Sequence, residues 1–175
     1  MQISEAVALL ANNGFPQSGS QIWADLGCGE GTFTLALAHL LQKGSLIYAI
    51  DKNKTALNKI PDHYESVFIE KTFADFAAEK LSFINADGIL MANSLHFIKD
   101  KVSFIKAAKQ YLKPNHCFLI VEYDMDKSNP WVPYPVSFSS LQQLFTSLGY
   151  IQITKLHTKP SVYRKENIYS AIIAI

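Results

Sequence analysis

The stretch Ile22-Trp23-Ala24-Asp25-Leu26-Gly27-Cys28-Gly29-Glu30-Gly31-Thr32-Phe33-Thr34 constrains this chain more than any other part of it. An apolar run ends in an acid. Glycines then stand at alternate positions 27, 29 and 31, and a helical pattern begins. This order encodes a strand, a tight turn and a helix N-terminus. A glycine turn lets backbone approach a ligand without a Cβ in the way. The helix start offers free N–H groups and the positive end of its dipole. A carboxylate or a phosphate suits that end equally well. The turn alone therefore marks a nucleoside or anion site, and a tight turn without a ligand has the same pattern.

Strands and helices alternate through the first two thirds. Ser4 is placed to cap a helix through Leu10 that stops at Asn13-Gly14. Gln21 to Asp25 reads as the first strand, and Gly31 to Gln42 as a helix closed by Gly44. Leu46 to Ile50 is a second strand ending at Asp51, and Asn53 to Ile60 a short helix stopped by Pro61. Ser66 to Glu70 and Asp87 to Ala92 are further strands. Asp100 to Leu112 has helical period, with Val102, Ile105, Ala108 and Leu112 inward and Lys101, Lys106, Lys109 and Lys113 on a solvated face. Pro114 is expected to end it before a strand from Cys117 to Glu122. Apolar strands separated by helices imply a parallel sheet covered on both faces.

The last third differs. Asp124 to Pro135 is rich in Pro, Asp and aromatics and reads as a loop. Ser140 to Leu148 is a helix stopped at Gly149. Tyr150 to Thr154 and Ile168 to Ile175 are strands with only a loop between them, so they should pair antiparallel. That loop, Lys155 to Asn167, carries His157, Tyr163 and Arg164; it is expected to be mobile and is assigned no chemistry. No linker or repeat divides residues 1–175, which read as one domain, with 1–16 as a helical segment placed to help cover a site.

Composition narrows the function classes. Hydrophobic residues make up 49% and charged residues 18%, the balance of a globular chain rather than a disordered one. Lys and Arg number 16 against 15 Asp and Glu, which leaves no electrostatic footprint for a nucleic-acid partner. Cys28 and Cys117 cannot form a disulfide framework, and neither has a partner at metal-ligand spacing. There is no signal-peptide pattern and no apolar run of about 20 residues to cross a membrane, so a cytoplasmic protein is expected.

Asp51 strengthens the ligand reading. It follows the second strand, where an acid can take both ribose hydroxyls as donors. The alternative is an N-cap for the helix from Asn53. Asp75-Phe76 lies past the third strand, where an acid can accept a hydrogen bond from an adenine amine. A plain surface turn fits it nearly as well.

These positions together resemble the class I S-adenosylmethionine-dependent methyltransferases of small-molecule type, over nearly the whole chain. The resemblance rests on Asp25 to Gly31, Asp51, Asp75-Phe76, the block Asp87-Gly88-Ile89-Leu90-Met91-Ala92-Asn93-Ser94-Leu95-His96, and Leu112-Lys113-Pro114. It implies an α/β, Rossmann-like doubly wound sheet of seven strands. The sheet would be mostly parallel with the last strand antiparallel, and helices would lie on both faces. It implies S-adenosylmethionine as cofactor. Gly27, Cys28, Gly29 and Gly31 would border its methionine half, and Asp25 would steady its amino group. Asp51 would hold the ribose, with Lys52, Asp75 and Phe76 at the adenine. Asn93 would lie near the methionine or the methyl group. No Asn-Pro-Pro-Tyr-like motif follows the fourth strand, which weakens amino methylation of nucleic acid or protein glutamine.

Methyl transfer is an in-line displacement at a sulfonium carbon. A general base is needed only if the acceptor must lose a proton. His96 is the first candidate, against the alternative of a packed or capping residue. Glu122, Tyr123 and Asp124 come next, and Trp131 and Tyr134 could roof an acceptor. The expected partner is a small-molecule acceptor, with no metal. A second subunit in a homodimer could complete an open site. Two other functions compete. A Rossmann oxidoreductase using NAD(P) would need a Gly-x-Gly-x-x-Gly turn, although Tyr48 and Lys52 have Tyr-x-x-x-Lys spacing. A non-catalytic module that only binds S-adenosylmethionine would carry the same turn.

Overall fold

The computed structural model describes residues 1–11, 19–160 and 166–175. Strands β1 (Ile22–Leu26), β2 (Leu46–Asp51), β3 (His63–Tyr64), β4 (Val67–Phe73), β5 (Ala86–Ala92), β6 (Leu112–Tyr123), β7 (Gln152–Pro160) and β8 (Asn167–Ala174) form one sheet. Their order is β3-β4-β2-β1-β5-β6-β8-β7. From β4 to β6 the strands run parallel. β8 inserts antiparallel between β6 and β7, with Cys117 opposite Ala174 and Tyr123 opposite Ile168. The closing antiparallel pair is as the sequence suggests.

Alternation along the strands sorts side chains to two faces. Ala24, Leu26, Ile89, Met91, Phe118 and Ile120 pack on one side with Ile105 of α4 (Lys101–Ala108) and with Leu141 and Phe145 of α5 (Phe138–Ser147). Trp23, Leu90, Leu119 and Val121 pack on the other with α1 (Ile3–Leu10) and α2 (Thr32–Leu40). The short α3 (Lys54–Leu57) adds Leu57 to a smaller cluster with Cys28, Ala49, Ile60 and Ile69. The helices therefore cover both faces. Among the described residues no helix is long and apolar enough to cross a membrane.

Trp23 sets one fold requirement. It lies opposite Gly88 in the β1–β5 pairing, and a Cβ at Gly88 would stand 2.5 Å from Trp23 Cζ3. Both are surrounded by fully packed core, so neither ring nor strand can yield freely. Gly88→Ala is expected to lower stability by about 2 kcal/mol, read as a lower urea midpoint. An unchanged midpoint would show that the ring moves aside at no cost.

The structure corrects several sequence-based expectations. Among the described residues the sheet has eight strands rather than seven, the addition being β3, whose His63 and Tyr64 face Phe68 and Val67. Its turn uses Glu65 at φ 52° in place of a glycine or asparagine, so it carries no hairpin signature. The helix expected over 100–112 stops at Ala108, and Pro114 falls inside β6. There the register shifts between Ala86 and Gly88, an irregularity that tolerates a residue with no N–H to donate. Val102 is exposed rather than inward. Three of the four expected solvent lysines are engaged: Lys101 on the Ile98 and Tyr134 carbonyls, Lys109 on the Leu148 carbonyl, Lys113 on Asp87. Much of the expected loop after Thr154 is strand β7, and His157 Nε2 lies 2.8 Å from the Ala11 carbonyl. Gln2, with Glu5, caps α1 in place of Ser4. Asn13-Gly14, Tyr163 and Arg164 lie outside the described residues.

Candidate cofactor site at the glycine turn

The turn after β1 is built before any ligand arrives. The Gly27 and Cys28 N–H groups both donate to the Ile50 carbonyl, at 2.8 and 3.1 Å. Gly31 closes the turn onto the Cys28 carbonyl at 3.0 Å and precedes α2 in left-handed conformation. Gly27 is irreplaceable on two grounds. Its φ is +80°, and a Cβ there would stand 2.6 Å from Ser94 Cβ. Gly29 contrasts with it: among the described residues nothing lies within 4 Å of where its Cβ would be.

Asp51 ends β2 and reaches across to this turn. Its Oδ2 accepts the Gly29 N–H and its Oδ1 accepts the Asn53 N–H, both at 2.8 Å. The N-cap of α3 is Asn53, whose side chain accepts from Ala56, so Asp51 is not spent on that role. Each carboxylate oxygen keeps a second lone pair for a further donor.

Asp25 lies beneath the turn and is fully buried. Thr34, on the first turn of α2, donates its hydroxyl to Asp25 Oδ2 at 2.6 Å. Asp25 Oδ1 is buried with no partner among the described residues. Burial pushes this carboxyl from 3.8 up to about 7; the Thr34 hydroxyl opposes that rise and the Asp51 charge adds to it. A buried acceptor left open in this way is costly unless something cationic fills the space.

Asn93 sits across the turn at the end of β5. Its φ is 53°, its N–H donates to the Val121 carbonyl at 2.8 Å, and its Oδ1 is also buried without a partner among the described residues. Ser94 next to it donates to the Leu26 carbonyl at 2.6 Å, tying the end of β5 to the end of β1. Two unanswered oxygens, from Asp25 and Asn93, thus accompany one glycine turn.

Asp75 and Phe76 follow β4. Asp75 Oδ1 accepts the Ala77 N–H at 3.1 Å, and Lys52 Nζ stands 3.5 Å from Asp75 Oδ2 in an exposed pair of small energetic weight. Phe76 Cε1 would lie 3.1 Å from a Cβ on Gly27, so the ring borders the turn. Beside it, between the irregular crossover 74–85 and α4, is a cavity of about 720 Å³. Leu26, Phe76, Leu81, Ile89, Phe97 and Phe104 line it. Its size is that of a small-molecule site.

The remaining expected residues separate. The Cys28 side chain packs into the cluster with Ala49 and Leu57, and burial pushes its thiol pKa up, so only its backbone faces the turn. Tyr48 stacks on Phe83 with ring centroids 5.5 Å apart, while Lys52 lies on the surface with Asp75; they form no dehydrogenase-type pair. Trp131 is 72% exposed on the proline-rich loop. His96 is buried against Glu122, with Nδ1 2.7 Å from Glu122 Oε2. Thr34 and Ser94 were missed as site residues by sequence reasoning. Thr34 had a signal, one turn into the helix that follows the acid. Ser94 had none, because its partner is 68 residues away.

Fold and site define a Rossmann-like domain with a glycine turn after β1 and acids after β2 and β4, built for a nucleoside-bearing cofactor. The chain belongs to the S-adenosylmethionine-dependent methyltransferases: a family model described as a methyltransferase domain matches residues 20–169. No curated protein sequence matches it. Solved structures share the fold at low identity. A SAM-dependent methyltransferase from Aquifex aeolicus is 17% identical, with a TM-score of 0.63 over 100% of both chains. Burkholderia thailandensis 1,6-didemethyltoxoflavin-N1-methyltransferase, solved with 1,6-didemethyltoxoflavin and S-adenosylhomocysteine, is 18% identical, with a TM-score of 0.69 over 98% of this chain and 77% of that one. Haemonchus contortus phosphoethanolamine N-methyltransferase 2, solved with S-adenosyl-L-methionine, is 14% identical, with a TM-score of 0.74 over 98% of this chain and 52% of that one.

Proposed function

We propose that this chain transfers the methyl group of S-adenosylmethionine to a small-molecule acceptor. The observation that carries the reading is the pair of buried oxygens on Asp25 and Asn93, unpartnered among the described residues, beside a preformed glycine turn. Bound there, the cofactor supplies an electrophilic methyl carbon and a good leaving group. The residues bind and orient. Asp25 faces the amino group, directly or through water, and Asn93 accepts from the methionine half or borders the methyl. Gly27, Gly29 and Gly31 give it room, with the Cys28 backbone beside them. Asp51 takes the ribose hydroxyls. Lys52, Asp75 and Phe76 surround the adenine, where the apolar cavity wall continues. Alignment and exclusion of water then do most of the work. His96 is the base where the acceptor must lose a proton.

A small acceptor is supported by the named substrate of the Burkholderia neighbour. The test is calorimetric titration with S-adenosylmethionine, S-adenosylhomocysteine and NAD, followed by labelled methyl transfer into a metabolite extract. Binding of the first two and labelling of a small component are expected. Tight NAD binding alone would sink the reading. Binding without labelling would turn the chain into a cofactor-binding module.

A further inference from the structure

The cavity beside Phe76 runs well away from the glycine turn. Its wall follows α4 from Asp100 to Ala108, roughly 12 Å of helix at 1.5 Å per residue, and continues to Tyr111. Tyr111 precedes Leu112, which pairs with Ala86 at the start of β5, so this end of the cavity lies at the end of the strands opposite the turn. Leu26 and Phe76 adjoin the turn, but none of Asp25, the turn glycines, Asp51, Asp75 or Asn93 lines the cavity. The space exists because both walls carry small residues. Ala77 and Ala78 stand on the crossover 74–85, which forms neither helix nor strand, and Ala107 and Ala108 stand on α4. Leu81, Ile89 and Phe104 make the interior apolar.

The charges of the lining do not cancel in pairs. Glu79 Oε1 accepts the Asp75 N–H at 2.7 Å, and Asp100 Oδ1 accepts the Ser103 N–H at 3.0 Å. Both acids are thus engaged with backbone. Lys80 and Lys99 have no ion-pair or hydrogen-bond partner among the described residues. At the end away from the turn, the Tyr111 hydroxyl accepts the Leu81 N–H at 3.1 Å, next in the chain to Lys80. Its own proton meets no acceptor among the described residues. Lys80 and Tyr111 therefore bring an unpaired cation and an unused donor to one end of an apolar channel. That combination suits a carboxylate, whose oxygens accept from both. We propose that this channel is a second binding site, separate from the cofactor's, for a carboxylic acid with an unbranched apolar chain. The carboxylate meets Lys80 and the Tyr111 hydroxyl, and the chain runs beneath α4 past Leu81, Ile89 and Phe104 towards Phe76. Burial of the chain supplies most of the affinity, and the head group supplies the selectivity. No covalent bond changes, and the site does not depend on methyl transfer.

Calorimetric titration with decanoate, decan-1-ol and acetate tests the site, in the free protein and in protein saturated with S-adenosylhomocysteine. Decanoate is expected to bind at a single site in both. Decan-1-ol should bind about tenfold more weakly and acetate not at all. Lys80→Gln should lower decanoate affinity about tenfold and leave decan-1-ol unchanged. Ala107 is an exposed helix position, so Ala107→Phe fills the channel at little cost to the fold. It should weaken acid and alcohol alike, about tenfold or more, with S-adenosylhomocysteine affinity unchanged. Loss of decanoate binding on saturation with S-adenosylhomocysteine would assign the space to the cofactor and overturn the proposal. So would equal affinity for acid and alcohol, binding at several sites, no binding of decanoate, or unchanged affinity in Ala107→Phe. Failure of S-adenosylhomocysteine to bind would count against the cofactor reading alone, and the titrations of free protein would still decide this site.

Discussion

Replacing Asp51 with alanine is expected to weaken S-adenosylmethionine binding at least tenfold and on the order of a hundredfold, since hydrogen bonds to a charged group contribute about 1.5–3 kcal/mol each. Two effects combine. The variant removes the acceptor proposed for both ribose hydroxyls. It also frees the Gly29 and Asn53 N–H groups that Asp51 holds at 2.8 Å, so the turn is less well formed before binding. Calorimetry with S-adenosylhomocysteine and with its 2′,3′-dideoxyribose analogue separates them. If the ribose assignment holds, the variant loses affinity for the natural ligand much more than for the analogue. Equal losses would assign Asp51 to the turn alone, and unchanged affinity would refute both roles.

Asp25→Asn is expected to act in opposite directions on stability and binding. In the ligand-free protein the carboxyl titrates near 7 rather than 3.8, chiefly through burial. Below the unfolded value of about 4 the group is protonated in both states and costs nothing. As pH rises through about 7 the folded state loses the advantage of holding that proton. The full penalty above that pH is on the order of 4 kcal/mol. Asparagine never ionises, still accepts from Thr34, and leaves unpaired only the position already open at Oδ1. The variant should therefore unfold at higher urea than the wild type at pH 8, and the gain should shrink towards pH 4.5. Binding moves the other way, because the carboxylate proposed to face the ligand's ammonium is gone; a loss of at least tenfold is expected. A variant no more stable at pH 8 would show that Asp25 is already compensated in the free protein. This opposition of stability and function is common where a site keeps a buried charge waiting for its partner.

Local pattern carried most of the architecture. The run from Ile22 to Thr34 specified strand, turn and helix because apolar period, glycine placement and helix start all agree over a few residues. The antiparallel closing pair followed from the absence of a helix between two apolar runs. Errors fell where tertiary context overrides local signals. Pro114 reads as a helix stop, yet an irregularity of β6 accommodates it. Glu65 gives no sign of a turn, yet it bends the β3–β4 hairpin at positive φ. Lys101, Lys109 and Lys113 look like a solvated face until the carbonyls and the acid that receive them arrive from distant parts of the chain.

The sequence by itself determined the family pattern: a glycine turn between β1 and α2, an acid closing β2, and an acid and a phenylalanine after β4. Each of these is local, set by residue type and spacing along the chain. Only the tertiary structure decided what those residues do to one another. Among the described residues it left one oxygen of Asp25 and one of Asn93 without partners, turned the Cys28 side chain into the core, and bound Glu122 to both the backbone and the ring of His96. Burial and hydrogen bonding between residues far apart in sequence are properties of the packed sheet. Spacing along a chain does not encode them.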